Sequence, residues 1–120
     1  MVETICPLKL VNEMVGGKWK CSIICILEDG KPVRYNEIRR KIPDITNMML
    51  AQSLKSLEEY GLVHREQYNE MPVRVEYSIT PEGQSLIPIL NSLNQWGIEY
   101  LRRHDNYMSR CETCQLKKNE

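Results

Sequence analysis

The sequence predicts a mostly helical α+β fold, and three of its features support this prediction. Apolar and polar residues alternate through residues 73–80, the pattern of a half-buried β-strand. A second strand is predicted at residues 62–69, so the two strands form a hairpin around a turn that contains Pro72. Two helical patterns separated only by residues 43–45 precede it, a spacing typical of a helix-turn-helix. A hairpin directly after such a helix pair is the signature of a winged helix.

Two helices are predicted before the helix-turn-helix. Pro7 opens the first, whose apolar residues recur at spacings of three and four as far as the glycines at positions 16 and 17. The second is expected from about Trp19 to Asp29, with Gly30 just past its end. The residues expected on its inward face are Trp19, Ile23, Ile26 and Leu27.

The helix-turn-helix itself is predicted between residues 36 and 60. Asn36 is the expected N-cap of its first helix, which ends before Pro43. Thr46 is the expected N-cap of the second helix, and Gly61 is its expected C-terminal cap. The residues predicted to form the buried stripe of this second helix are Leu50, Leu54 and Leu57.

A long helix is predicted to close the fold over about residues 81–108. Its start combines a capping hydroxyl at Thr80, a proline in the first turn and an acid at Glu82. The residues predicted to form its broad apolar face are Leu86, Ile89, Leu90, Leu93, Trp96, Tyr100 and Leu101.

The length and composition fit a single cytoplasmic domain. With 120 residues the chain can form one core, so residues 1–120 are predicted to be one domain with a polar tail at about 109–120. Charged residues make up 27% and apolar residues 42% of the chain, which is ordinary for a soluble protein. The longest apolar run, residues 23–27, is too short to cross a bilayer, and the N-terminus does not resemble a signal peptide. No contact with a membrane is expected.

The candidate functional surface is the outer face of helix 46–60 together with the cations around it. The formal net charge is zero, yet residues 31–41 contain five cations and a single acid. In a helix-turn-helix the second helix reaches base edges in double-stranded DNA, and the Gln52 amide can pair with adenine in two places. The residues predicted to face DNA from this helix are Asn47, Met48, Gln52, Ser53, Lys55 and Ser56. The cations predicted to meet phosphates are Lys18, Arg34, Arg39, Arg40, Arg65 and, in a wing at 69–75, Arg74.

Other interpretations of these residues remain open. The polar face of the helix also fits a solvated surface, and the alternative for Arg74 is an ion pair with Glu70 or Glu76 worth about 0–1 kcal/mol. A winged helix that binds another protein is a second possibility, and a CxxC thiol or metal protein is a third. An enzyme is not expected, because neither histidine lies in a catalytic context and no glycine-rich phosphate loop is present. No cofactor is predicted.

Three segments, residues 6–27, 33–63 and 73–97, resemble the HxlR-type winged-helix transcriptional regulators, a MarR-like family. The resemblance rests on the motifs "GGKW", "MLAQSLKSLE", "VEYSIT" and "LIP" and on Cys6-Pro7. It implies a homodimer bound to a dyad-symmetric operator, with dimerisation helices at about 7–16 and 81–108 and recognition helices about 34 Å apart. Met48 stands where many relatives have a basic residue, which removes one expected DNA contact. Tyr35 replaces the usual phenylalanine.

Five cysteines, an odd and scattered set, predict a reducing compartment rather than a disulfide framework. Cys21 and Cys25 are interpreted as core residues. Cys6 lies at a helix N-terminus near Lys9, and both features favour the reactive thiolate. The resemblance implies that this position is the sensor in relatives that respond to oxidants or electrophiles; the alternative is an inert thiol.

Cys111 and Cys114 have the spacing of a dithiol or half of a metal site. A zinc site is not expected, because only His104 and Cys6 are available as further ligands. The hypothesis is that the pair acts as resolving thiols for Cys6. The sequence does not identify the effector, whether a small molecule or an oxidant.

Overall fold

The computed structural model describes residues 5–104 and contains five helices and three strands in that range. In chain order they are α1 (Pro7–Val15), α2 (Lys20–Ile26), β1 (Val33–Arg34), α3 (Tyr35–Lys41), α4 (Asn47–Glu59), β2 (Val63–Tyr68), β3 (Arg74–Ile79) and α5 (Pro81–His104). This order confirms the predicted α+β winged helix-turn-helix: α3 and α4 form the helix-turn-helix, and β2 and β3 form the wing. The chain divides into two compact units, one up to Ile87 and the other from Pro88.

The three strands form one antiparallel sheet in the order β1-β3-β2, so β3 is central. Val33 and Arg34 of β1 lie opposite Tyr77 and Glu76, and β2 pairs with β3 from Val63 opposite Ile79 onwards. The alternation predicted for β3 is only partly observed. Tyr77 is buried, but the polar residues between the apolar ones are half-buried because β3 has a neighbour on each side.

The core of the first unit is made of aliphatic side chains from α2, α3, α4 and the start of β2. Its fully buried members are Ile23, Ile24, Leu27, Ile38, Leu50, Leu54, Leu57, Leu62 and Val63. The predicted stripe of α4 is therefore confirmed. The core position predicted for Cys25 is wrong, since its side chain is exposed, and Cys21 is only half-buried. At 100° per residue, α2 turns Ile23, Ile24 and Leu27 inward and Cys25 away from them.

The ends of the helix-turn-helix show which caps the sequence predicts correctly. Asn36 is not the N-cap of α3: β1 leads directly into that helix, and Arg34 occupies the capping position. Thr46 is confirmed as the N-cap of α4, where its Oγ1 accepts a 3.1 Å hydrogen bond from the Met49 amide. Gly61 ends α4 with φ +76°, and the amides of Gly61 and Leu62 donate to the Glu58 and Leu57 carbonyls, both at 2.9 Å.

The residues after α4 and those before α5 meet at one junction. The Thr80 amide donates to the Leu62 carbonyl at 3.1 Å, and the Thr80 hydroxyl donates to the Gly61 carbonyl at 2.6 Å. The same hydroxyl accepts a 3.1 Å bond from the Gly83 amide, which caps the first turn of α5 as predicted. A Cβ at Gly83 would collide with the Leu62 carbonyl oxygen and the Ile79 side chain.

The second unit contains the part of α5 that begins at Pro88. Leu90 and Ile98 are buried, whereas four large apolar residues are exposed: Ile89, Leu93, Trp96 and Tyr100. The rings of Trp96 and Tyr100 stack at a centroid distance of 5.5 Å, and those of Tyr100 and His104 at 4.1 Å. The predicted helical end at residue 108 and the polar tail lie outside the described residues.

Candidate nucleic-acid interface

The outer face of α4 presents a set of different polar and apolar groups. Because Leu50, Leu54 and Leu57 fix the rotation of the helix, the residues on the opposite side point away from the core. Asn47, Met48, Gln52 and Lys55 are exposed, and Ser53 and Ser56 are half-buried. This face therefore offers an amide, an ammonium group and a thioether, which suit a base edge, a phosphate and a thymine methyl respectively.

A hydrogen bond between α3 and α4 holds the start of this face in place. The Tyr35 hydroxyl donates to the Asn47 carbonyl at 3.0 Å. Burial raises the pKa of the Tyr35 phenol above its usual value, and the nearby Tyr77 adds to the rise while Arg39 opposes it. The phenol therefore stays protonated as a donor through neutral pH. Sequence analysis missed this contact because a Tyr-for-Phe replacement gives no sign of a partner 12 residues away.

Four of the predicted cations surround one open groove between α3 and the wing. The groove has a volume of about 880 Å³ and is lined by Arg34, Arg40, Arg65 and Arg74 together with the acids Glu37 and Glu70. Arg39 and Arg40 line a neighbouring hollow of about 530 Å³. Lys18, by contrast, lies with its ammonium 4.8 Å from the Trp19 ring and is not part of either lining. The structure thus brings together most, but not all, of the predicted phosphate-binding cations.

Arg74 does not project freely from the wing. It is the first residue of β3, and its Nη2 lies 3.2 Å from Glu70 Oε1. Its Nε is buried 3.5 Å from Glu76 Oε2, a distance that fits an ion pair rather than a hydrogen bond. The guanidinium also lies over the Tyr68 ring at 4.2 Å. The ion pair that the sequence left open as an alternative is therefore present.

The cysteines in the described residues occupy two kinds of environment. Cys6 is exposed at the N-cap of α1, where its side chain makes no capping bond. Cys21 donates to the Val15 carbonyl at 3.3 Å, and burial raises the pKa of its thiol. Cys111 and Cys114 lie outside the described residues.

Neither a metal cluster nor a membrane span is found between residues 5 and 104. No three His, Cys, Asp or Glu side chains in this range are placed to hold a metal ion. No helix in it is long and apolar enough to cross a membrane.

The chain is similar to helix-turn-helix transcriptional regulators along most of its length. The model of the HxlR-like helix-turn-helix family matches residues 14–105. An HTH-type transcriptional regulator of Methanothermobacter thermautotrophicus is 46% identical over 104 residues, which are 87% of this chain and 79% of the relative.

Two solved structures of regulators, one in an oxidised and one in a reduced form, are also similar to this chain. The redox regulator HypR in its oxidised form has a TM-score of 0.71 at 43% identity, covering 77% of this chain and 94% of HypR. The reduced transcriptional regulator YodB from Bacillus subtilis has a TM-score of 0.72 at 34% identity, covering 85% of this chain and 100% of YodB. The chain therefore belongs to the HxlR-like helix-turn-helix family of transcriptional regulators.

Proposed function

We propose that the protein acts as a homodimer that binds a dyad-symmetric operator in double-stranded DNA, with α4 in the major groove and the wing beside the backbone. The observation that carries the proposal is the exposed polar face of α4, whose first residue is hydrogen-bonded to Tyr35 in the lining of the groove that also contains Arg34, Arg40 and Arg65. Within this surface, Gln52 is the candidate base reader, and Lys55 is a candidate phosphate contact. Met48 takes the position of an expected cation and favours apolar contact with a thymine methyl instead.

Exposed apolar residues support the dimer. Leu8 of α1 is 77% exposed and Trp96 of α5 is 64% exposed, and each has further exposed apolar neighbours on its own helix. Large contiguous apolar surface on a soluble chain typically marks a protein contact. A second copy of the chain is the proposed cover for both helices.

Capture of genomic DNA tests the proposed function. The reduced, folded protein is mixed with genome fragments and excess non-specific competitor at about 0.15 M salt, because affinity for DNA depends steeply on salt. Recovery of a few fragments that share an inverted repeat is the expected result. Recovery of none by a dimeric sample would favour a winged helix that binds protein.

Two substitutions then separate the roles on α4. Lys55→Ala should weaken binding to all sequences and lower the salt slope by about one, as expected for a lost phosphate contact. Gln52→Ala should relax the preference at one base pair per half-site by about 1–3 kcal/mol. Equal losses on operator and random duplex for Gln52→Ala would contradict its role as a base reader.

A redox response through Cys6 is a second proposed function. Its exposed thiol and the similarity to HypR and YodB support it, and YodB has also been solved after diamide treatment. In the proposed reaction, two thiols lose two electrons and two protons to diamide and form a disulfide, with Cys111 or Cys114 as the partner of Cys6. Diamide should weaken operator binding by the native protein but not by Cys6→Ser. An unchanged diamide effect in Cys6→Ser would exclude this cysteine as the sensor.

A further inference from the structure

One arginine of the proposed DNA surface is already bound to anions of its own chain. Glu70 and Glu76 contact neighbouring nitrogens on one edge of the Arg74 guanidinium, Nη2 and Nε respectively, and the Tyr68 ring covers one of its faces. Only 28% of the Arg74 side chain is exposed. A phosphate that approaches this edge of the guanidinium must therefore replace or share a carboxylate.

The two carboxylates differ in how strongly solvent screens them. The Glu70 side chain is 53% exposed, whereas that of Glu76 is 19% exposed. Glu76 belongs to the central strand, opposite Arg34 on one side and Glu66 on the other. Because like charges directly opposite each other are unfavourable, the contact of Arg74 with Glu76 offsets the repulsion between Glu76 and Glu66. Glu70 makes the shorter contact, 3.2 Å against 3.5 Å for Glu76, but its greater exposure lets a phosphate from solution displace it more readily.

We propose that Glu70 and Glu76 act as internal competitors for the DNA phosphate that Arg74 would contact. This inference rests on the proposed DNA binding. The two acids hold Arg74 against the sheet in the free protein and lower its contribution to binding of any duplex. The part of the affinity that does not depend on sequence comes mostly from phosphate contacts, and it is thereby reduced. The part that comes from contacts of Gln52 with bases then makes up a larger share of the binding free energy. The glutamates of the wing thus act as specificity-determining residues.

Binding of a random duplex, measured from about 0.05 to 0.2 M salt, tests the inference. Glu70→Gln and Glu76→Gln should each raise the affinity by about two- to fivefold, the range expected for loss of a partly exposed ion pair. The salt slope should become steeper by up to about one, because Arg74 then replaces one more counterion. Thermal unfolding verifies that each variant is folded.

Glu66→Gln is the matched control. Glu66 lies on the same strand pair and carries the same charge, but its carboxylate is 2.9 Å from His64 rather than at Arg74. If the wing acids act only by repelling DNA, this variant should gain as much affinity as the other two. A smaller gain is expected if contact with Arg74 is what matters.

Combining the glutamate variants with Arg74→Gln gives the decisive comparison. In that background neither glutamate has a guanidinium to hold, so the gains from Glu70→Gln and Glu76→Gln should disappear. Gains that persist without Arg74, or equal gains in Glu66→Gln, would overturn the inference while leaving DNA binding intact. Absence of duplex binding by the native protein at low salt would instead overturn the proposed function, and the inference with it.

Discussion

At the scale of single residues, the Tyr35 hydroxyl connects the first residue of α3 to the first residue of α4. Its 3.0 Å bond to the Asn47 carbonyl is made by a group that phenylalanine lacks. Tyr35→Phe should therefore lower the free energy of unfolding by about 0.5–1.5 kcal/mol in urea titrations. Tyr60→Phe, at an exposed position just after α4, is the control and should change it little. Equal effects of the two substitutions would show that the Tyr35 bond contributes nothing specific.

Two cysteines of the first unit should differ in reactivity. The raised pKa of Cys21 leaves less thiolate at neutral pH, and its thiol is already bonded to the Val15 carbonyl. Cys6 is exposed, so iodoacetamide at pH 7 to 8 should modify Cys6 faster than Cys21, as read by peptide mass spectrometry. In urea the difference should disappear. Preferential labelling of Cys21 in the folded protein would contradict the environment described for it.

At the scale of elements, the N-cap of α4 sets where the proposed recognition helix begins. Thr46→Ala removes the oxygen that accepts from the Met49 amide, and should cost about 0.5–2 kcal/mol of stability. Thr46→Ser keeps that oxygen and should stay close to the native protein. The measurement is urea unfolding followed by circular dichroism. A Thr46→Ser variant as unstable as Thr46→Ala would point to the lost methyl group instead of the cap.

The elements that the sequence predicts well are those defined by local signals. Helix α4 has a capping threonine, a leucine stripe and a terminal glycine, and each acts within a few residues of its own position. The start of α3 was mispredicted because β1 pairs with β3, more than 40 residues away in the chain, and continues straight into the helix. The exposure of Cys25 likewise follows from how seven-residue α2 is rotated against the core.

The candidate site shows the same division between local and distant signals. Periodicity places Gln52 and Lys55 on the outer face of α4 without knowledge of the rest of the fold. The sequence leaves the pairing of Arg74 open, because an alternating strand pattern does not tell whether its guanidinium turns towards the nearby acids Glu70 and Glu76 or away from them. In the structure Arg74 contacts both acids, and the ring of Tyr68, which the strand register places opposite Arg74, covers one face of its guanidinium.

At the scale of the whole molecule, the exposed apolar surface of α5 predicts a second copy of the chain. Trp96→Glu would place a charge in the proposed interface, where burial without a partner is unfavourable. Sedimentation velocity at micromolar concentration should show a dimer for the native chain and a monomer for Trp96→Glu. The affinity of this variant for the operator should also fall, because separate monomers then bind the two half-sites.

Asn91→Glu is the control, since it adds the same charge at an exposed polar position of α5. This variant should remain dimeric. A native chain that sediments as a monomer, or a Trp96→Glu variant that stays dimeric, would remove this surface from the proposed interface.

The junction of Gly61, Leu62, Thr80 and Gly83 has a mechanical consequence. Hydrogen bonds of 2.6 to 3.1 Å join the backbone after α4 to the backbone that starts α5, and Gly83 leaves no space between them. The first turn of α5 therefore cannot slide past the end of α4. A displacement imposed on that turn, by an effector or an oxidised thiol, would therefore be transmitted almost undiminished to the C-terminal end of the proposed recognition helix.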